Sequence, residues 1–141
     1  MKRFSLLIVL LLAVLVAPLA AQAQEPSEEA PTYVYFLLLK TTPEWLAFTP
    51  EERFEYLGTT ITPLLEANPN VSVRFFDAEA FSSRYSDVAM IEAASTLDYQ
   101  FFVEQLRETA FWGTYFEVVE IIPAIENAYS LYYGVDPLTG D

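Results

Sequence analysis

TYVYFLLL, residues Thr32–Leu39, is β-branched, aromatic and aliphatic, and reads as a strand. Side chains alternate across a strand. Here both alternating sets are apolar: Tyr33, Tyr35, Leu37 and Leu39 on one side, Val34, Phe36 and Leu38 on the other. A strand with one wet face alternates apolar with polar residues. This strand therefore requires cover on both of its faces, and that requirement decides the fold.

Further along the chain, Thr49-Pro50-Glu51-Glu52 carries the marks of a helix start: Thr as N-cap, Pro in the first turn and Glu three residues after the cap. Phe54, Leu57, Ile61, Leu64 and Leu65 come next at helical spacing, and Pro63 predicts a kink or an early end. Asn68-Pro69-Asn70 makes a turn. VSVRFFD (Val71–Asp77) and DVAMIEAA (Asp87–Ala94) read as a second and a third strand. Ser95-Thr96-Leu97-Asp98 predicts a capping box. It opens a helix with Tyr99, Phe102, Val103, Leu106 and Ala110 on one face. FEVVEII (Phe116–Ile122) is a fourth strand, which Pro123 should stop.

The order βαββαβ is the α+β, ferredoxin-like split βαβ arrangement. It places two helices on one face of a four-stranded antiparallel sheet and leaves the other face bare. A bare face cannot accommodate the two-sided apolar first strand. The second strand adds to this, with Val73 and Phe75 on one side and Phe76 on the other. A second copy of the same sheet would supply the cover, giving a dimeric α+β barrel. The competing arrangement folds the segment after Pro123 back over the sheet. Large exposed apolar patches mark interfaces, which favours the dimer.

Composition sets the compartment and the chemistry. Lys2 and Arg3 precede an apolar run from Leu6 to Val16 that continues to Ala21, broken at Pro18. Ala21-Gln22-Ala23 then offers small residues for signal peptidase, with cleavage before Gln24. The run is shorter than the roughly 20 residues of a spanning helix. Residues 1–23 thus read as a signal peptide and 24–31, QEPSEEAP, as a disordered linker. A domain over 32–134 and a tail over 135–141 complete the chain, and the product is expected to be exported, periplasmic or secreted. The signal takes two of the seven basic residues, so the remainder sets five against 20 acidic side chains. Such a surface repels nucleic acid and anionic membrane. The chain has neither Cys nor His. Disulfides, Ser-His-Asp and Cys-His catalysis, ordinary zinc sites and His-ligated haem are excluded. No metal or cofactor is expected, and any catalysis would rest on carboxylates, Lys, Arg or Tyr.

Several ordered blocks together carry a family likeness. They are Leu38-Leu39-Lys40-Thr41-Thr42-Pro43-Glu44-Trp45-Leu46, Arg74-Phe75-Phe76-Asp77-Ala78-Glu79-Ala80-Phe81 and Ser86-Asp87-Val88-Ala89-Met90. Phe111-Trp112, Tyr115-Phe116 and Glu126-Asn127-Ala128-Tyr129 complete the set. The pattern resembles the darcynin family of small bacterial proteins. The resemblance implies no assigned activity. It implies a likeness to the dimeric α+β barrel group, which includes cofactor-free monooxygenases, haem-degrading enzymes and chlorite-dismutase-like proteins. The exported N-terminus sets this chain apart from short darcynins.

Lys40, at the end of the first strand, could hold an anion, or pair with Glu44 at the surface. Arg74, Asp77, Glu79, Arg84 and Asp87 cluster around one hairpin, with Asp77 and Glu79 continuing the side of Val73 and Phe75. Desolvation on that side would make a carboxylate a general base, whereas a neighbouring Arg would make it a structural ion pair. Glu117 and Glu120, an odd number apart, should fall on opposite faces. Trp45, Tyr99, Trp112, Tyr115 and Tyr129 could line a pocket for an aromatic or small apolar ligand, or serve as ordinary packing. Three readings emerge: a homodimeric small-molecule-binding module, a cofactor-independent oxygenase or isomerase, and a periplasmic interaction domain. The enzyme would use Asp77 or Glu79 as base, with Lys40 or Arg74 holding an anionic intermediate.

Overall fold

A computed structural model of the chain describes residues 32–137. The expected signal and linker, and residues 138–141 of the expected tail, lie outside them. The central strand β1 (Tyr33–Thr41) pairs antiparallel with β3 (Asp87–Ala93) on one edge and with β4 (Phe116–Ile125) on the other. The strand β2 (Val71–Asp77) extends the sheet beyond β3, giving the order β2-β3-β1-β4. This is the ferredoxin-like βαββαβ sheet.

Between β1 and β2 run α1 (Pro43–Leu46), α2 (Pro50–Tyr56), a π turn (Leu57–Ile61) and α3 (Thr62–Glu66). The Thr49 capping box forms as the sequence predicts, with Thr49 N–H donating to Glu52 and Glu52 N–H to Thr49. Pro63 does not end the segment, which continues as α3. The preceding π turn absorbs it: Thr62 N–H reaches back to the Leu57 carbonyl, five residues away, just before the proline that has no N–H.

The second long helix, α4 (Thr96–Arg107), starts at Ser95, whose hydroxyl accepts from Asp98 N–H at 3.0 Å. The return bond of the expected capping box takes another form. The Asp98 carboxylate accepts from the Ser95 hydroxyl at 2.6 Å and from the Asn70 amide at 3.2 Å. These two bonds hold the Asp98 carboxyl below its ordinary pKa. On α4, Phe102, Val103 and Leu106 face the sheet and are buried, while Ala110 falls beyond the helix.

The core lies between these helices and the sheet. Leu37 and Leu39 of β1 are fully buried, and Ile91 of β3 and Phe102 are nearly so. The side of β1 holding Tyr33, Tyr35, Leu37 and Leu39 is therefore the helix side. The far side of the sheet carries Val34, Phe36 and Leu38, flanked in register by Val88 and Met90 of β3 and Ile122 and Ala124 of β4. Phe76 of β2 lies beyond Val88 on the same side. Within one chain Phe36, Leu38, Val88 and Met90 are half-buried, whereas Phe76 is 47% exposed and Ile122 43%.

Two features of β4 differ from expectation. The strand does not stop at Pro123, which pairs with Tyr35 and lies within it. On an edge strand the missing N–H can face outward at no cost to the ladder. The register also slips between Leu38 and Leu39, so that Glu120 faces Leu38, Val118 faces Leu39, and Val119 is the extra residue. The bulge cancels the parity argument. Glu117, opposite Lys40, and Glu120, opposite Leu38, share the far side. The final element, α5 (Ala128–Tyr133), comes after a left-handed Asn127 and is closed by Gly134 at φ 63°. Its Tyr129, Leu131, Tyr132 and Tyr133 are exposed, while Ser130 between them is buried.

Leu39 tests the core independently of any pocket. We expect Leu39→Ala to lower unfolding stability by about 2–5 kcal/mol, measured by urea denaturation.

Candidate functional site

The helices do not close fully on the sheet. Between them lies a cavity of about 580 Å³. That size lies within the range of small-molecule sites. Leu37, Val73, Phe75, Ala89 and Ile91 form its sheet wall; Leu57, Ile61, Leu65, Phe102 and Leu106 form its helix wall. Ala89 on β3 is one source of the space, because its methyl group stands where a larger side chain would reach toward the helices. Phe54 and Phe75, both large and exposed, also line the cavity. Phe54 lines the cavity alongside Leu57, Ile61 and Leu65, yet is 74% exposed.

Two carboxylates line the same cavity. Asp77 and Asp87 face each other directly in the β2–β3 register, on the helix side of the sheet. Asp77 is exposed and Asp87 is buried. The Ser86 hydroxyl donates to Asp87 Oδ2 at 2.6 Å, and Thr41 N–H donates to that hydroxyl oxygen at 2.7 Å. Burial pushes the Asp87 carboxyl up from its ordinary pKa. The Ser86 bond pulls it back, while the charges of Asp77 and Glu79 raise it further. Arg53, a cation among the lining residues, donates from Nε to the Trp45 carbonyl and from Nη2 to the Leu46 carbonyl, each at 3.2 Å. Its guanidinium lies 5.7 Å from the Trp45 ring centroid.

The candidate residues of the sequence separate in the structure. Asp77 and Trp45 line the cavity. Glu79 lies just after β2 in the turn, exposed and close enough to act on Asp87. Lys40 and Arg74 lie on the opposite side of the sheet: Lys40 faces Glu117, and Arg74 pairs with Glu92 at 3.0 Å. Arg84 approaches Glu120 at 3.9 Å. Tyr99 stacks on Tyr35 with ring centroids 3.4 Å apart, and burial together with the Tyr35 phenol pushes its pKa up to about 12. Tyr115 packs against Trp45, Phe48 and Tyr56 in an aromatic cluster. Trp112 lies beside Arg107, and Tyr129 is exposed against Tyr133. Among the described residues no group of three or more carboxylates could hold a metal ion.

Asp87 is the site residue that sequence reasoning leaves without a role, as one more member of the hairpin cluster. Its signal is present as alternation: Asp87, Ala89, Ile91 and Ala93 form one side of β3, with the acid at the head of an apolar row.

This fold, a ferredoxin-like sheet with helices on one face, has counterparts among solved structures. A mutant chlorite dismutase from Candidatus Nitrospira defluvii superposes with a TM-score of 0.56 at 16% identity, over 67% of this chain and 39% of that one. A dimeric chlorite dismutase from Nitrobacter winogradskyi gives 0.56 at 18% identity, over 70% of this chain and 59% of that one. The chain thus spans about two fifths of the first of these proteins and three fifths of the second, and what they share with it is the fold.

The family itself comes from sequence. A family model described as "Darcynin, domain of unknown function" matches residues 20–140. A Darcynin homolog of Granulibacter bethesdensis is 49% identical over 110 residues, covering 77% of this chain and 88% of the relative. One from Streptomyces avermitilis is 44% identical over 115 residues, covering 80% and 95%. The chain belongs to the Darcynin family.

The burial of Asp87 has a pH signature. Its folded pKa lies above the unfolded value of 3.8, so folding favours the protonated form. That contribution is complete below the unfolded value and is lost as pH rises through the folded one. We expect Asp87→Asn to be more stable than the native chain at neutral pH. The difference should shrink as pH falls below the raised value, in urea melts at stepped pH.

Proposed function

We propose that this Darcynin protein is an exported homodimer that binds a small apolar molecule in the cavity between its sheet and helices. The observation that carries this reading is the cavity, walled by aliphatic and aromatic side chains with charged groups at few points. The enzyme reading has less support, because Lys40 and Arg74 are on the other side of the sheet from Asp77 and Asp87. The cation in the cavity lining is instead Arg53, whose guanidinium is already engaged by the Trp45 and Leu46 carbonyls.

The homodimer rests on the sheet's far side. Phe36, Leu38, Val88, Met90 and Ile122 form an apolar surface that is only partly covered within one chain, beside the buried Val34 and with Glu120 next to Leu38 at its β4 edge. A second copy presenting the same surface would bury it by twofold symmetry. The flanking pairs Arg74–Glu92 and Lys40 opposite Glu117 place both signs of charge at its margins, so two copies need not repel. The dimeric chlorite dismutase of similar fold is consistent with this assembly. Export rests on the N-terminal pattern of Lys2, Arg3, the apolar run and Ala21-Gln22-Ala23.

Light scattering after gel filtration should give a dimer mass at low micromolar concentration. Phe76→Glu, at a side chain already exposed in one chain, should shift it to the monomer with unchanged circular dichroism. A native chain that is monomeric at that concentration overturns the dimer.

Native mass spectrometry of protein purified from its own host tests the rest. The expected species begins at Gln24 and retains a small molecule. Ala89→Met, which fills the cavity, should reduce that retention about tenfold, the scale of a lost apolar contact. An intact Met1 N-terminus would overturn export by cleavage, and an empty protein unaffected by Ala89→Met would overturn the binding reading.

A further inference from the structure

Among the described residues Asp87 is the one charged side chain that is buried, at 7% exposure. Burying a carboxylate is costly unless a cation or several donors compensate it. Asp87 has a single donor, Ser86, on Oδ2; Oδ1 takes no hydrogen bond from the described residues and is left facing the cavity and its solvent rather than sealed away. The ion pairs formed among those residues are Arg74–Glu92 and Arg84–Glu120, and neither involves Asp87. Arg53, which could have served, is held by the Trp45 and Leu46 carbonyls. Asp77, directly opposite in register, adds a second carboxylate to the deficit. The same cavity carries aromatic rings from Trp45, Phe75, Phe111 and Phe116. Carboxylate and aromatic faces together are the surroundings that an ammonium group prefers.

We infer that the cavity takes an apolar cation, an amine-bearing aromatic or aliphatic molecule whose ammonium group meets Asp87 Oδ1 and Asp77 while its apolar body lies along the cavity walls. The inference deepens the binding reading above and rests on it. The ligand would supply the positive charge that the chain itself withholds. Anionic ligands of the same shape would be repelled from the same end.

Three probes of one shape separate the contributions: naphthylmethylamine, naphthylmethanol and naphthoate, titrated at neutral pH against the native chain by calorimetry or Trp fluorescence. The amine should bind at least about tenfold more tightly than the alcohol, as one charge-assisted contact in a desolvated site provides. Naphthoate should bind most weakly. Asp87→Asn should remove the preference for the amine while leaving the alcohol's affinity within about twofold of native, if shape and apolar contact are kept. Asp77→Asn, at an exposed side chain, should reduce the preference part of the way, and it serves if the Asp87 variant does not fold. Equal binding of amine and alcohol, tightest binding of naphthoate, or a preference that survives both variants overturns the inference and leaves the cavity reading intact. Failure of all three probes to bind at millimolar concentration overturns both.

Discussion

Everything in this molecule depends on a strand that is hydrogen-bonded along both edges and apolar on both faces. β1 pairs with β3 and β4 over nearly its whole length, and Leu37 and Leu39 are sealed from water. A strand so placed cannot be moved by one residue without exchanging its two apolar sets, and the partners on each side are fixed to that register. The helices answer to one set. They are amphipathic, and the aliphatic row of β1, with Ile91 and Ala89 of β3, is the surface they can cover. Of the other set, Val34 is buried within one chain, while Phe36 and Leu38 are half-buried.

The irregularities of the chain also have physical causes. A proline inside a helix must forfeit a backbone bond. The π turn at Leu57–Ile61 places the widened step where Pro63 would otherwise interrupt the ladder, and the segment continues to Glu66. A bulge in an edge strand inverts the facing of every residue beyond it. In β4 it moves Glu120 onto the same side as Glu117, so both acids leave the helix side. The edge position likewise allows Pro123 to sit inside a strand.

These causes also separate the legible from the hidden parts of the chain. Strand and helix positions are legible because their apolar spacing is strong: Val71–Asp77 is found unchanged, and Asp87–Ala93 ends one residue early. The βαββαβ order and the family likeness come from ordered blocks. The hidden part depends on backbone choices made only in three dimensions. No side-chain pattern announces a bulge at Val119 or a π turn at Leu57, and without the bulge Glu117 and Glu120 divide between faces. Lys40 and Arg74 stand near Asp77 in sequence, yet strand alternation alone already separates Arg74 from Asp77. The aromatic candidates divide for a similar reason. Trp45 sits at the helix-side entrance to the sheet, but Tyr99 has its ring face taken by Tyr35 and Tyr129 stands outside the packed layers.

Asp87 raises a different question, namely why a fold keeps it. An apolar side chain of similar size would extend the row of Ala89, Ile91 and Ala93 and remove the desolvation penalty. Ser86 and Thr41 form a short chain of hydrogen bonds that holds the carboxyl in place rather than letting it turn to solvent. A purely structural carboxylate is usually found with an Arg or several backbone donors around it. Here the neighbours that act on it most strongly after Ser86 are Asp77 and Glu79, which oppose its ionisation. Local preference and position are therefore in conflict at this residue. Such conflicts collect where a protein meets something outside itself. The conflict at Asp87 lies at a cavity wall, where a ligand could resolve it, and not in the sealed core around Leu39, where nothing could.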